Sequence, residues 1–165
     1  LARERIFEYY SLARKIPVCQ LRLNYAIDLR YGVLRDIGDA VYSGQSVDVT
    51  MGYVNVIWQG DAVNQSLLCL EQCVSPPLVL NLTGPETLSV RKLAQEFGRR
   101  FSLDVNIVGK ESPTALLSNS ARARSLFGDP AVSVDQMIDW TAEWIKGGGS
   151  SLDKPTHFQT RDGNF

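Results

Sequence analysis

Pro17 closes one helical pattern, and directly behind it runs Val18-Cys-Gln-Leu-Arg-Leu23, followed by Asn24. The run is short, mostly apolar, and bounded by proline on one side and polar residues on the other. It therefore predicts a buried strand of a parallel sheet. Proline disfavours helix in the residue before it, so the apolar residues Ile6, Phe7, Tyr10 and Ala13 between Ala2 and Lys15 predict one helix that ends there. Parallel strands need crossover connections, which are usually helices, and this directs the chain to an α/β architecture. The residues after Leu23 then stand at a carboxyl edge of the sheet, where such folds hold their ligands. They are Asn24, Tyr25, Asp28, Arg30 and Tyr31, a polar and aromatic elbow that closes at Gly32.

The remaining pattern repeats the alternation. Val33, Leu34, Ile37, Ala40 and Val41 predict a helix to Tyr42, with Gly44 as a left-handed terminator. Ser46 to Thr50 and Tyr53 to Trp58, split by Met51-Gly52, read as a strand pair or hairpin. Asp61 is placed as the N-cap of a helix running through Leu70 and stopped by Ser75-Pro76-Pro77. Leu78 to Leu82 is a strand, Ser89 caps a helix from Val90 to Phe101, and Val105 to Val108 is a further strand. Ser118-Asn119-Ser120 starts a short helix ending at Gly128. Ser133 and Gln136 form a capping box for a last helix through Trp140 and Trp144. Residues 1–146 make up the folded portion. Residues 147–165 are a tail, entered through a glycine run that reads as linker or cap, because it follows a helix instead of joining a strand to one; from Ser151 on it reads as polar apart from the final Phe165 and is expected to lie across the surface.

The 165 residues suffice for one domain with a real core, and the 17 basic and 18 acidic residues give a formal charge of −1 without long runs of either sign. Neither nucleic acid nor an anionic membrane surface is an expected partner. No apolar run reaches the roughly 20 residues of a membrane span, and the first residues lack a signal-peptide pattern, so a cytoplasmic protein is expected. Three cysteines, Cys19, Cys69 and Cys73, do not make a disulfide framework. Cys69 and Cys73, four apart, would share a helix face, but the one histidine, His157, lies in the tail, and no metal site is expected. The sequence contains no G-x-G-x-x-G, no Walker A, no G-x-S-x-G and no histidine-based triad. No complete active site is expected within this chain, and no catalytic residue is assigned.

Several segments, in order, resemble the NAD-dependent epimerase/dehydratase family, the extended short-chain dehydrogenase/reductases. Arg3-Glu4-Arg5 resembles the start of the helix after that family's Tyr-x-x-x-Lys. Pro17-Val18 to Asn24 is similar to its Pro-Val-x-x-x-Leu-Arg strand and asparagine elbow. Val56-Ile57-Trp58-Gln59-Gly60-Asp61-Ala62 resembles its Ile-His-Val-x-Asp-Val-Ala segment. Asn81-Leu82-Thr83-Gly84 with Ser89 to Leu93 resembles Asn-x-Gly…Ser-x-x-Glu-Leu, and Leu126 to Pro130 resembles Leu-Gly-x-x-Pro. The likeness runs from Ala2 to about Lys146.

The resemblance implies the C-terminal part of a Rossmann-like extended short-chain dehydrogenase/reductase with a small α/β substrate-binding lobe. An N-terminal half, missing here, would hold the NAD or NADP and supply the catalytic tyrosine and lysine. The lysine slot falls just before Leu1, as expected of a truncation, a proteolytic product or one piece of a longer protein. Leu23, Asn24 and Tyr25 would border the cofactor. Asn24, Arg30, Tyr31, Asn55 and Trp58 would face the substrate, a sugar, sugar nucleotide or related hydroxy or keto compound. Met51 to Asn55 carries no cation where nucleotide-sugar enzymes of the family often place an arginine, so no bidentate diphosphate clamp is expected there. A rival expectation is a ligand-sensing or scaffold protein that keeps the fold without the chemistry, and a third is an interaction module with no crevice beside Asn24.

Overall fold

The computed structural model describes residues 2–160. Helix α1 (Ala2–Arg14) leads into β1 (Cys19–Leu23) and, after Asn24 alone, β2 (Tyr25–Ile27). Then come α2 (Val33–Tyr42), the short strands β3 (Val47–Asp48), β4 (Tyr53–Val54) and β5 (Val56–Trp58), and α3 (Gln59–Leu68), which tightens into a 3-10 turn at Cys69–Gln72. Strands β6 (Leu78–Leu82) and β7 (Leu88–Ser89) precede α4 (Val90–Phe101), and β8 (Ile107–Val108) precedes α5 (Ala121–Phe127) and α6 (Val134–Lys146).

The strands pair two by two. β1 runs parallel to β6, β2 parallel to β5, and β3 parallel to β8, while β4 and β7 are antiparallel. The anticipated hairpin between residues 46 and 58 does not form, because its strands each take a partner from a distant part of the chain. Met51-Gly52 is not a two-residue hairpin turn: the backbone there serves the loops beyond, with Gly52 accepting from the Val90 N–H and Thr50 from the Ser112 N–H.

The core lies between α2, α4 and α6 and the strands they cover. Val33, Leu34, Ile37 and Val41 of α2 meet Leu93, Ala94 and Phe97 of α4 and Met137, Ile138 and Ile145 of α6. Each helix ends as its sequence dictates. Ser89 accepts from the Lys92 N–H, Ser133 and Gln136 complete the reciprocal box, and Gly44, at φ 70°, ends α2. Gln45 N–H reaches the Ala40 carbonyl and Gly44 N–H that of Val41, the paired bonds of a Schellman terminator.

Four local expectations need correction. Asp61 is not the N-cap of α3. Trp58 occupies that position, and the Asp61 carboxylate accepts from the Val132 N–H at 3.0 Å, tying α3 to the loop before α6. Cys73 lies beyond the 3-10 turn, not on a shared α-helical face, and its thiol points to the Cys69 carbonyl. β1 is a strand, but its leucines are not buried: Leu21 is 37% and Leu23 is 58% exposed, because among the described residues no third strand or helix covers them. Finally, the tail does not merely cross the surface. Phe158 is buried in the main core, while Phe165, the apolar residue singled out in the sequence, lies outside the described residues.

α1 is oriented opposite to what its pattern suggests. Glu4 and Ser11 face the β1–β6 pair: Glu4 accepts from Gln20 and forms a two-bond ion pair with Arg22, and the Ser11 carbonyl accepts from Ser75. Ile6, Phe7, Tyr9, Tyr10 and Leu12 are all exposed. Two apolar surfaces are thus uncovered among the described residues: the outward face of α1, which sits on the Gln20 and Arg22 face of the β1–β6 pair, and Leu21 and Leu23, which project from the opposite face of that pair.

Candidate site at the strand divergence

β1 follows β6 as far as Asn24, whose N–H still donates to the Leu82 carbonyl at 3.0 Å; one residue later Tyr25 is already paired with Val56 of β5. Asn24 is thus where the chain leaves one strand for another, and the sheet opens at the carboxyl ends of β1 and β6. Its side-chain amide crosses the gap, donating to the Asn55 carbonyl (3.2 Å) and to Asn55 Oδ1 (2.6 Å). Asn55 is buried and in turn grips Ser118, giving Nδ2–H to its carbonyl at 2.7 Å and accepting its N–H at 3.2 Å. An amide suits this task, because it donates and accepts in one plane and so pairs with a backbone in both senses.

The loop held by Asn55 is pinned a second time, by Asn81 of β6, which donates to the Asn119 carbonyl at 3.1 Å. Asn119 caps α5 by accepting the Ala121 N–H, whereas Ser120, the formal N-cap, makes no side-chain cap bond. Asn55, Thr87, Leu117, Ser118, Asn119 and Arg124 line an open groove of about 290 Å³. The Arg124 guanidinium is paired with Asp129. Asn81 and Asn119 were missed as site residues in the sequence. Their sequence signals are an asparagine at a half-buried strand position and the Ser-Asn-Ser run, which by local pattern indicate no more than a strand and a helix start.

The structure brings Asn24 and Asn55 together but sends Arg30 and Tyr31 elsewhere. In the elbow, Asp28 and Tyr31 exchange backbone bonds, and Asp28 accepts from the Arg30 N–H and from its guanidinium. The hydrogen bonds from Arg30 hold the Asp28 carboxyl below the usual carboxylate range. Arg30 and Tyr31 border a different cavity, of about 420 Å³, walled by α2, β3 and the tail. Tyr25 is half-buried against the core; burial pushes its phenol up, and the nearby Tyr31 adds to this, so it is a neutral hydroxyl near neutral pH. Trp58 packs edge-on against Trp140, with centroids 5.4 Å apart, and also contacts the core.

Leu23 presents an exposed apolar side chain at the mouth of the divergence, and among the described residues nothing donates to Asn24 Oδ1. The phosphates of a dinucleotide find no glycine-rich strand-to-helix turn in this sequence. Among the described residues, no three His, Cys, Asp or Glu side chains are gathered for a metal ion, and no helix is long and apolar enough to cross a membrane.

No protein-family model matches the sequence, and no curated protein matches it. Solved structures do match in shape. The UDP-glucose 4-epimerase of Thermotoga maritima, solved with UDP-glucose, superposes with a TM-score of 0.71 at 16% identity, over 89% of this chain and 52% of the enzyme. The UDP-glucuronic acid 4-epimerase of Bacillus cereus, in complex with NAD, gives 0.71 at 15% identity, over 87% of this chain and 48% of that one. RMD from Pseudomonas aeruginosa, complexed with NADPH, gives 0.68 at 16%, over 89% and 55%. The chain spans about half the length of the structures it matches.

Proposed function

From a chain that carries part of the Rossmann-like fold of the NAD-dependent epimerases and dehydratases, we propose that these residues form the C-terminal, substrate-facing portion of an NAD(P)-dependent epimerase, dehydratase or reductase. The observation that carries this is the unpartnered edge of β1 and the exposed leucines beside it. In a parallel strand alternate residues turn their backbone groups to opposite neighbours. Asn24 N–H and Val18 C=O bond to β6 and its approach, so Cys19, Leu21 and Leu23 turn theirs to an edge without a partner strand among the described residues. Parallel sheets are ordinarily covered on both faces and continued at such an edge. A preceding nucleotide-binding half would continue the sheet at β1 and bury Leu21 and Leu23.

The cofactor, held by that half, would supply hydride transfer. Leu23 would pack beside its reacting ring and exclude water, and Asn24, its amide oriented by Asn55, would offer Oδ1 to a substrate hydroxyl or the carboxamide. The substrate is a sugar, sugar nucleotide or related hydroxy or keto compound. Proton transfer belongs to a tyrosine and lysine outside these residues, so this chain by itself is inactive.

The test is expression of this polypeptide together with the sequence encoded upstream of Leu1. A glycine fingerprint and Tyr-x-x-x-Lys there, with NADH or NADPH uptake weakened roughly tenfold or more by Leu23→Glu through burial of a charge, bear the proposal out. An upstream sequence lacking both, with no dinucleotide uptake, assigns the chain instead to a ligand-sensing or scaffold protein of the same fold.

A further inference from the structure

The segment after α6 is fastened to the molecule at successive points, and the fastenings converge on the elbow. Arg35, buried in the first turns of α2, pairs with Asp39 at 2.6 Å and spreads Nη1 over three carbonyls: Leu29 of the elbow at 3.2 Å, Gly149 at 3.3 Å and Ser150 at 3.4 Å. The Ser150 carbonyl also accepts from Trp144 Nε1. Leu152 N–H then donates to the Arg30 carbonyl at 3.0 Å. Further on, Asp36 Oδ2 accepts both the Thr156 N–H (2.7 Å) and its hydroxyl (2.6 Å), and Phe158 inserts into the core. Asp153 and His157, on either side of this clasp, are held at φ 52° and 51°, a conformation non-glycine residues adopt only when their surroundings impose it.

Leu29 and Arg30 thus have their carbonyls held by, or shared with, the strap, and the same strap walls the 420 Å³ cavity that Arg30 and Tyr31 border. We propose that residues 149–158 act as a latch: docking of the Thr156–Asp36 clasp, transmitted through Arg35 and Leu152, fixes the shape of the elbow at residues 28–31, and the two segments open and close as one unit. A ligand that engages Arg30 or Tyr31 then tightens the strap, and a docked strap favours that ligand by the same factor. This device is a property of the chain by itself and stands or falls separately from the enzyme assignment.

Native-state hydrogen exchange on the full 165-residue chain tests it. Thr156→Val removes one hydrogen bond to a carboxylate and leaves the strap's length and shape unchanged. It speeds exchange roughly tenfold or more in peptides covering both 150–160 and 28–32, while α4 keeps its wild-type rate and shows the fold intact. Asp36→Asn, which weakens the same clasp from the other side, gives the same paired change. Faster exchange in the strap with the elbow unmoved, or no change in either segment, overturns the proposal.

Discussion

Asn24 illustrates how much one residue can be asked to do and how little of that is visible from its neighbours in sequence. Its position at the end of an apolar run marked an elbow, but its partner, Asn55, stands 31 residues away and was reached only by folding. Two other residues behave differently from a surface polar group. Thr83 is fully buried in the turn after β6, and its hydroxyl is without a hydrogen-bond partner among the described residues. Leaving a buried hydroxyl unmet costs about 1–3 kcal/mol. Thr83→Val, equal in shape, is therefore expected to leave this chain as stable or up to that much more stable in urea unfolding; a loss of stability means the hydroxyl has an unseen role in holding the turn. Cys69 is buried against Cys19 of β1 and Leu78 and Leu80 of β6, and burial pushes its thiol up to about 12. Between the ordinary thiol value of 9.0 and that figure, the unfolded chain has lost a proton that the folded chain keeps. Stability must therefore fall as pH rises through that window and be unaffected by Cys69 below it. Cys69→Ala should flatten the fall. Iodoacetamide at neutral pH should leave Cys69 unmodified until denaturant is added, and rapid labelling in the native state would show the thiol to be accessible.

Among the elements, those fixed by local chemistry were legible and those fixed by distant partners were not. The capping box of α6, the serine cap of α4 and the glycine that ends α2 each depend on residues within one turn, and all stand where the pattern put them. β3, β4 and β5 are two or three residues long and acquire their partners from β8, β7 and β2, so neighbouring runs that resembled a hairpin carried no information about pairing. The apolar spacing of α1 was real, but periodicity does not say whether the stripe turns inward, and here Glu4 and Ser11 take the inner side. Gly84 shows an element-scale constraint that the sequence motif hinted at. It joins the two parallel pairs by donating its N–H to the Val56 carbonyl at 3.0 Å, and a Cβ there would overlap that same oxygen. Since the obstacle is backbone and cannot rotate away, Gly84→Ala should destabilise the chain by about 1–3 kcal/mol, read as a lower urea midpoint with unchanged slope. An unshifted midpoint would mean that β5 and β6 are not held as closely as described.

At the scale of the whole molecule, the α/β order was readable because helical and strand periods alternate along the chain, and the comparison structures share that fold over about half their own length. The site was only half readable. Asn24 and Asn55 meet, but Arg30 and Tyr31 line a separate cavity walled in part by the tail, whose docking through Phe158 and Thr156 has no local signature. At this scale the molecule is uneven: three helices enclose a core, while Leu21 and Leu23 on one face of the β1–β6 pair, and the outward residues of α1 on the other, are exposed. On the proposed function another folded unit, which also carries the nucleotide, continues the sheet at β1 and covers its leucines. Titration of the purified 165-residue chain with NADH and with NADPH, followed by calorimetry, is therefore decisive. Heat indistinguishable from dilution for both nucleotides is the expected result. Saturable, stoichiometric binding with a dissociation constant near or below about 1 μM, some 8 kcal/mol of affinity, would show that these residues hold the dinucleotide unaided and that the division of labour is wrong.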